Sequence, residues 1–133
     1  MVQTESSRSL GSERVTDQVR VTVSPRYLAD RSAPGDHKWT FAYRIRIANE
    51  GTRAVQLLSR HWMITDADGE RHEVQGEGVV GQQPRIMPGE AFEYESACPL
   101  GTRWGTMEGT YLMERDDGEQ LRVTVGRFYL VAP

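Results

Sequence analysis

Three glycines at the spacing GxGxxG are the residues of this chain that most directly suggest a chemistry. Gly76, Gly78 and Gly81 stand in the stretch GEGVVGQQP. In dinucleotide-binding proteins this spacing lets the backbone approach a pyrophosphate that rests on the N-terminus of the following helix. Here two glutamines, a proline and soon afterwards a Pro-Gly pair follow the third glycine, which excludes a long amphipathic helix. The carboxylate of Glu77 would also repel a phosphate, so the spacing alone does not establish a nucleotide site.

Two interpretations of this segment, the glycine loop (residues 76–84), stay open at the level of sequence. In the first, Gly78 and Gly81 together with the amides of Val79 and Val80 form an anion-binding nest without a helix. In the second, the glycines permit positive φ and close packing where the chain crosses between strands, and the two valines hold the loop against the core. The absence of a nearby lysine and of a helix dipole favours the structural interpretation.

Histidine and cysteine offer few other candidates for chemistry. His61 and His72 flank a predicted hairpin and could approach each other across it, and two histidines with a carboxylate can hold a divalent metal. The short spacings HxH and HxxxH are absent, however, and Cys98 is the only cysteine, which excludes an internal disulfide and a cysteine cluster. We therefore predict no catalytic residues, no metal site, no cofactor and no enzymatic activity.

Composition limits the protein to a small number of classes. A chain of 133 residues with a net charge of −3 is long enough for one domain and lacks the basic surface typical of nucleic-acid binding. Lys38 is the only lysine among sixteen basic residues. No apolar run approaches the ~20 residues of a membrane span, and the first residues lack the apolar centre of a signal peptide. We expect a reduced, cytoplasmic protein with neither a nucleic-acid nor a membrane partner.

Alternating apolar residues are the main structural signal. Residues 1–16 are polar and rich in serine and charge, which predicts a disordered N-terminal tail, and residues 17–133 are predicted to form a single domain. Within that domain about seven segments alternate between apolar and polar residues, as in Val19, Val21 and Val23, and turn-forming residues separate them. The pattern predicts an all-β fold, a two-sheet antiparallel β-sandwich of about seven strands resembling the immunoglobulin type.

The predicted sandwich also has predicted surfaces. The first two strands and the fifth are expected to share a sheet whose solvent face carries a ladder of charges: Arg20, Arg44 and Arg46 opposite Glu93 and Glu95.

An apolar patch is expected on the outer face of the other sheet, at Leu57, Met63 and Leu112, because Trp62 is predicted to face the core. This patch, or the edge strand at residues 19–23, would suit an unidentified protein partner or a homodimer, unless a loop or the tail covers it.

With these segments assigned, the chain resembles the ApaG family. The matching stretches are residues 41–49, 55–62 and 76–84, followed by Pro88, Gly89, Phe92, Tyr94, Met107, Gly109, Tyr111 and Met113. They agree in order over roughly residues 19–131, nearly the whole chain. One departure is Gly126, where the family pattern often has proline, and it is expected to change only a local bend.

The resemblance implies a fibronectin type III-like sandwich and no established activity. Similar domains in the eukaryotic polymerase delta-interacting protein and in some F-box proteins look like protein-interaction modules. The bacterial family is also associated with diadenosine polyphosphate hydrolysis, through a neighbouring gene, and with tolerance to cobalt and magnesium. None of these associations assigns a site.

The leading hypothesis is a non-catalytic β-sandwich module that mediates protein–protein interaction. Its predicted contact residues are Gly76, Gly78, Val79, Val80, Gly81, Gln82, Gln83, Pro84 and a neighbouring Trp104. The alternative is a small-ligand binder that recognises a pyrophosphate-containing nucleotide or a divalent metal (Mg or Co) through the same loop. A hydrolase acting on diadenosine polyphosphates has no support from the residues themselves.

Overall fold

Nearly all of the described chain consists of β-strands. A computed structural model describes residues 10–133. The strands are β1 (Ser12–Thr16), β2 (Val19–Tyr27), β3 (Trp39–Asn49), β4 (Val55–Asp66), β5 (Arg71–Glu77), β6 (Arg85–Ile86), β7 (Ala91–Leu100), β8 (Trp104–Arg115) and β9 (Gln120–Val131). Two short 3-10 helices, Ala29–Arg31 and Pro34–Asp36, lie between β2 and β3. No helix in this range is long and apolar enough to cross a membrane.

The strands form two antiparallel sheets. One has the order β1-β2-β3-β7, and the other has the order β5-β4-β8-β9 with the short β6 also paired to β4. The prediction of an all-β sandwich is confirmed, and the first two predicted strands and the fifth (β2, β3 and β7) do share a sheet.

The core lies between the sheets because apolar residues alternate along the inner strands. On β3, Phe41, Ile45 and Ile47 are fully buried at every second position. Trp62 of β4 lies in this core and makes edge contacts with the rings of Tyr111 and Phe128, each at a centroid distance of 6.0 Å. The tryptophan predicted to face the core therefore does so.

The predicted tail ends earlier than residue 16, which corrects the domain boundary. Residues 12–16 form β1, which pairs with β2 in a ladder from Ser12 opposite Val23 to Thr16 opposite Val19. The connecting residues Asp17 and Gln18 both have positive φ, as in a tight two-residue hairpin. The strand was missed because it buries little apolar surface and is held mainly by backbone pairing. The part of the predicted tail at residues 1–9 lies outside the described residues.

β1 also fastens the two sheets together along one side. The Ser12 hydroxyl donates to the carbonyl of Gly126 on β9 at 2.7 Å, and the Thr124 amide donates to the Thr16 hydroxyl at 3.2 Å.

Two β-bulges shift the strand faces. The register between β4 and β8 changes between Leu57 and Ser59, which leaves Leu58 as the extra residue and turns Leu57 fully into the core. The prediction that Leu57 faces outward is therefore wrong, while Met63 and Leu112 are half-buried. The second bulge, between β8 and β9, lies at Gly126, where the sequence comparison led us to expect a local bend.

The predicted charge ladder is present in part. Arg44 and Arg46 both approach Glu93, at 3.0 and 3.9 Å. Glu95, however, pairs with Arg26 at 3.1 Å.

Arg20 departs from the predicted ladder as well, because it pairs with Glu50 and Glu13 at 2.7 and 2.9 Å. All of these pairs are largely exposed, so water screens their attraction and each contributes little to folding.

Candidate functional site

The glycine loop is a second tight hairpin and contains no helix. The amide of Val79 donates to the carbonyl of Gln82 at 2.8 Å, and the amide of Gln82 donates back to Val79 at 2.9 Å. The two central residues, Val80 and Gly81, have φ of 44° and 78°. Reciprocal hydrogen bonds around two residues of positive φ are typical of a type I′ turn.

Each glycine of the GxGxxG spacing has its own structural reason. Gly78 has a φ of 64°, and a side chain there would collide with the carbonyl oxygen of Gln82. Gly81 occupies the left-handed turn position that favours glycine. At Gly76 a Cβ would lie 2.9 Å from both terminal nitrogens of Arg60, so glycine leaves room for that guanidinium. The spacing is thus explained by a turn and by an arginine.

The predicted anion nest has lost two of its amides, those of Gly78 and Val79, to hydrogen bonds with other backbone groups of the protein. The Gly78 amide donates to the carbonyl of Leu58 at 2.8 Å, and the Val79 amide is part of the hairpin. Val79 is buried against the core, as the structural interpretation expected, but Val80 is 49% exposed and does not pin the loop.

The remainder of the loop is tied to the bulge of β4. The side-chain amide of Gln83 donates to the carbonyl of Leu58 at 2.9 Å, and the amide of Leu57 donates to the carbonyl of Pro84 at 3.0 Å. The loop is therefore a fixed element that presents one exposed valine.

Beneath the loop, a cleft opens between the edge strands β5 and β7. Its volume is about 290 Å³, and its lining residues are Tyr43, Arg60, Trp62, Glu77, Val79, Val80, Gly81, Tyr94 and Ser96. Tyr43 and Ser96 are paired directly across β3 and β7. Sequence reasoning did not find this cleft because its walls come from both sheets.

The tyrosines of the cleft stay protonated at neutral pH. The hydroxyls of Tyr94 and Tyr111 are 2.5 Å apart and buried. Burial raises the pKa of both Tyr94 and Tyr111 above the ordinary value, and it raises the pKa of Tyr43 as well. These groups therefore act as neutral hydrogen-bonding partners.

Arg60 is the charged residue of this cleft that sequence reasoning missed. It lies opposite Gly76 on β5 and opposite the buried Tyr111 on β8, on the inner face of its sheet. Its Nη1 donates to the backbone carbonyls of Glu77 and Gly78 at 3.0 and 2.9 Å. A signal was available in the sequence, because Arg60 is two positions from the core residue Trp62 and shares its strand face.

The two histidines do not meet. His61 lies opposite Gln75 and its Nε2 is 2.8 Å from the Oε1 of Glu73, whereas His72 lies opposite Ile64 on the other face of the sheet. The prediction that they could approach each other across the hairpin is wrong, because their positions differ in strand phase.

A different group of potential metal ligands lies at the turn between β4 and β5. Ligand atoms of Asp66, Glu70 and His72 lie within 4.8 Å of one another. The Oδ1 of Asp66 already accepts the amides of Asp68 and Glu70, at 2.9 and 3.0 Å. That oxygen therefore stabilises the turn.

Cys98 lies in the core on β7. Burial raises the pKa of its thiol to about 11, so the thiol is neutral near pH 7 and is a poor nucleophile.

Trp104 lies at the far end of the five-stranded sheet, so the prediction that it neighbours the glycine loop is wrong. It pairs with Val131, and the next residue, Gly105, is opposite Asp66 at the end of β4. The glycine loop attaches to β4 near Leu58, roughly 25 Å away at about 3.3 Å per residue.

Around Trp104 lies a group of exposed apolar side chains that we call the Trp104 patch: Trp104, Tyr129 and Val131. Their exposed fractions are 45%, 39% and 42%. Tyr129 and Val131 are two positions apart on β9, so they share the face on which Val131 meets Trp104.

Comparison with known proteins decides the family. The model of the ApaG domain matches residues 29–115. The chain belongs to the ApaG family. Protein ApaG of Paramagnetospirillum magneticum is 52% identical over 120 residues, which are 90% of this chain and 92% of that protein. Protein ApaG of Anaeromyxobacter dehalogenans is 51% identical over 122 residues, with 92% and 96% of the two chains covered.

A solved structure agrees with this assignment to the ApaG family. The crystal structure of an ApaA protein from Bordetella pertussis superposes with a TM-score of 0.84 at 47% identity, covering 86% of this chain and 94% of that one. The resemblance noted from the sequence is confirmed. The names of these relatives state no reaction.

Proposed function

We propose that this ApaG-family protein is a non-catalytic module that binds a protein partner through the Trp104 patch. The observation that supports it most is the exposure of a tryptophan, a tyrosine and a valine side by side on two paired strands. Tryptophan and tyrosine are the residues most enriched among the energetic hot spots of protein interfaces.

The surroundings of the patch fit an interface. Beside it, Arg127 and Glu108 form an ion pair at 2.9 Å, and Thr106 lies opposite Tyr129. An apolar centre next to polar side chains is the usual composition of a contact surface. The glycine loop, with its exposed Val80, remains a second predicted contact region at a distance from the first.

Support for a non-catalytic role comes from the surroundings of Cys98, the candidate nucleophile, and of His61, the candidate base. The Cys98 thiol is buried and protonated, and the His61 ring is in an exposed pair with Glu73. The nucleotide alternative is weakened because the amide of Gly78 already donates to Leu58 of β4 and the amide of Val79 already donates to Gln82.

The test is a comparison of retained partners. The wild-type protein is immobilised and exposed to a lysate of the cells in which it is naturally made. Three variants are treated in the same way: Trp104→Ser, Val80→Ser and Met87→Ser. Met87 is an exposed apolar residue outside the patch, so its variant controls for the loss of surface hydrophobicity. We expect recovery of a specific partner to fall by about tenfold or more for Trp104→Ser only.

Two results would contradict the proposal as stated. Equal recovery by Trp104→Ser and the wild type would remove the patch from the interface, and loss in Val80→Ser would move the interface to the glycine loop. Sedimentation of the purified protein tests whether the partner is a second copy of the chain. If the wild type is a dimer and only Trp104→Ser is a monomer, the patch binds another copy of this protein.

A further inference from the structure

Arg60 places a positive charge between the two sheets, where strand alternation normally places apolar side chains. Its neighbour on the same strand face, Trp62, is buried, and so is Tyr111 directly opposite on β8. The guanidinium occupies the space over Gly76 on the side that faces the other sheet. Arg60 is only partly buried, and no buried side-chain nitrogen or oxygen among residues 10–133 lacks a hydrogen-bond partner, so the guanidinium nitrogens without a protein acceptor reach solvent.

The hydrogen bonds found for Arg60 satisfy only part of the guanidinium. Nη1 makes two bonds, to the carbonyls of Glu77 and Gly78. Among residues 10–133, neither Nε nor Nη2 donates to a protein acceptor. These two nitrogens carry parallel N–H groups on one edge of the guanidinium, which is a fork that matches the two oxygens of a carboxylate.

The charge of Arg60 is also without an acidic partner in the part of the chain that the structure describes. The ion pairs of residues 10–133 include eight other arginines but not Arg60. Glu77 lines the cleft, but its recorded contact with Arg60 is through the backbone carbonyl. On β5, Glu77 is one position from Gly76, so it belongs to the opposite strand face.

The cleft has the dimensions and lining of a small-ligand site. Its volume of about 290 Å³ lies at the lower limit of pockets that hold small molecules, about 300–1,000 Å³. The nearly buried Tyr43, Trp62 and Tyr94 form its floor, and Ser96 supplies a hydroxyl. Val79 and Val80 of the glycine loop cover one side.

We infer that this cleft binds a small monocarboxylate through the Nε and Nη2 of Arg60, with the organic part of the ligand beside Val80 of the glycine loop. One guanidinium matches one carboxylate in charge and geometry. A polyphosphate would bring several negative charges to a single arginine, so it is disfavoured. The inference does not depend on the Trp104 patch, and Trp104→Ser should bind the anion normally.

The first test is an NMR titration of the wild-type protein with sodium benzoate, with sodium chloride at equal ionic strength as the reference. We expect saturable shifts at the Trp62 indole, the Arg60 Nε–H and the amides of Val80 and Gly81, with a dissociation constant in the millimolar range or tighter. Shifts that follow ionic strength equally for both salts would overturn the inference. A parallel titration with inorganic phosphate is expected to give weaker binding.

Matched variants locate the site. Arg60→Met keeps most of the stem but removes the charged fork, and it should reduce benzoate affinity by about tenfold or more. Arg122→Met is the control, because Arg122 lines the depression on the outer face of the same sheet, which Arg60 also borders. Unchanged affinity in Arg60→Met, or equal loss in Arg122→Met, would contradict the placement in the cleft.

A chemical measurement on the wild-type protein covers the case in which Arg60→Met fails to fold. Phenylglyoxal modifies accessible arginines, and the modified sites are identified by peptide mass spectrometry. Saturating benzoate should protect Arg60 and leave the reactivity of Arg122 unchanged. If Arg60 reacts equally fast with and without benzoate, the inference is wrong.

Discussion

Val80 occupies the first central position of the hairpin turn in the glycine loop, with a φ of 44°. A β-branched side chain in the left-handed region is a true outlier and stores about 1–3 kcal/mol of strain. Asparagine or glycine is the usual residue there.

Replacing Val80 with asparagine should therefore stabilise the protein. We expect Val80→Asn to raise the free energy of unfolding by about 1 kcal/mol, because asparagine tolerates the left-handed conformation. Urea unfolding followed by tryptophan fluorescence measures the change. Val15→Asn is the control, since Val15 is similarly exposed but lies in the regular strand β1. A less stable Val80→Asn would show that the contacts of the valine outweigh its strain.

The buried Tyr94–Tyr111 pair makes stability depend on alkaline pH. Both pKa values are raised in the folded protein by burial, whereas in the unfolded chain each tyrosine ionises near its ordinary pKa of about 10. Above that pH the unfolded state binds fewer protons than the folded state, so stability falls as pH rises.

The double variant Tyr94→Phe/Tyr111→Phe should remove that dependence. Because both hydroxyls are deleted together, no buried donor is left unpaired, and stability at pH 7 should change by only about 1 kcal/mol. Unfolding measured between pH 8 and pH 11 should be less pH-dependent in the double variant than in the wild type. Parallel curves for the two proteins would contradict the assignment.

At the scale of strands, β1 and the bulge at Gly126 pack against each other. A Cβ at Gly126 would lie 2.7 Å from the Cγ of Arg14 and 3.3 Å from the Cβ of Ser12. The close approach of β1 therefore explains why glycine fits at this bend.

The substitution Gly126→Ala should push β1 away from β9 and lower the free energy of unfolding by about 1–3 kcal/mol, the usual range for overpacking. Gly35→Ala is the matched control, because a Cβ at Gly35 meets no atom within 4 Å. Thermal unfolding by circular dichroism compares the two. Equal stability of both variants would show that β1 adapts without loss.

The strands themselves could be predicted where alternation was regular, as in β3, and where Asp-Gly turns joined them. The strand faces could not be predicted where they depend on the backbone register between two strands. The extra residue Leu58 reverses the face of Leu57, and nothing in the local pattern separates these two leucines. β1 was not predicted because its residues are mostly polar and its partners, β2 and β9, lie elsewhere in the sequence.

At the scale of the whole molecule, the two sides of the sandwich differ. On one side β1 joins the sheets, whereas on the other side β5 and β7 are edge strands with the cleft between them. The glycine motif could be seen in the sequence. Its structural role, however, depends on Arg60, sixteen residues before Gly76, and on residues of the opposite sheet. Such a juxtaposition is a tertiary property, so the cleft could not be predicted.

This asymmetry predicts a pattern of amide hydrogen exchange. β3 is paired on both sides, by β2 and β7, whereas among residues 10–133 β5 is paired only with β4. We expect the amides of β3 to exchange only through global unfolding and those of β5 to exchange much faster through local opening. The amides of β4 that hydrogen-bond to β8 lie inside the same sheet as β5, so their exchange rates serve as an internal reference. Equal protection of β3 and β5 would show that another contact covers the β5 edge.

The hydrogen bond between Ser12 and Gly126 spans 114 positions of the chain. A ribosome synthesises a chain from its N-terminus at about 5–20 residues per second, so β1 is made several seconds before β9. Until the last strand emerges, the inner face of the four-stranded sheet has no complete partner. The nascent chain therefore passes through an interval in which its apolar strands lack their final partner, and it completes this sandwich only after β9 has been made.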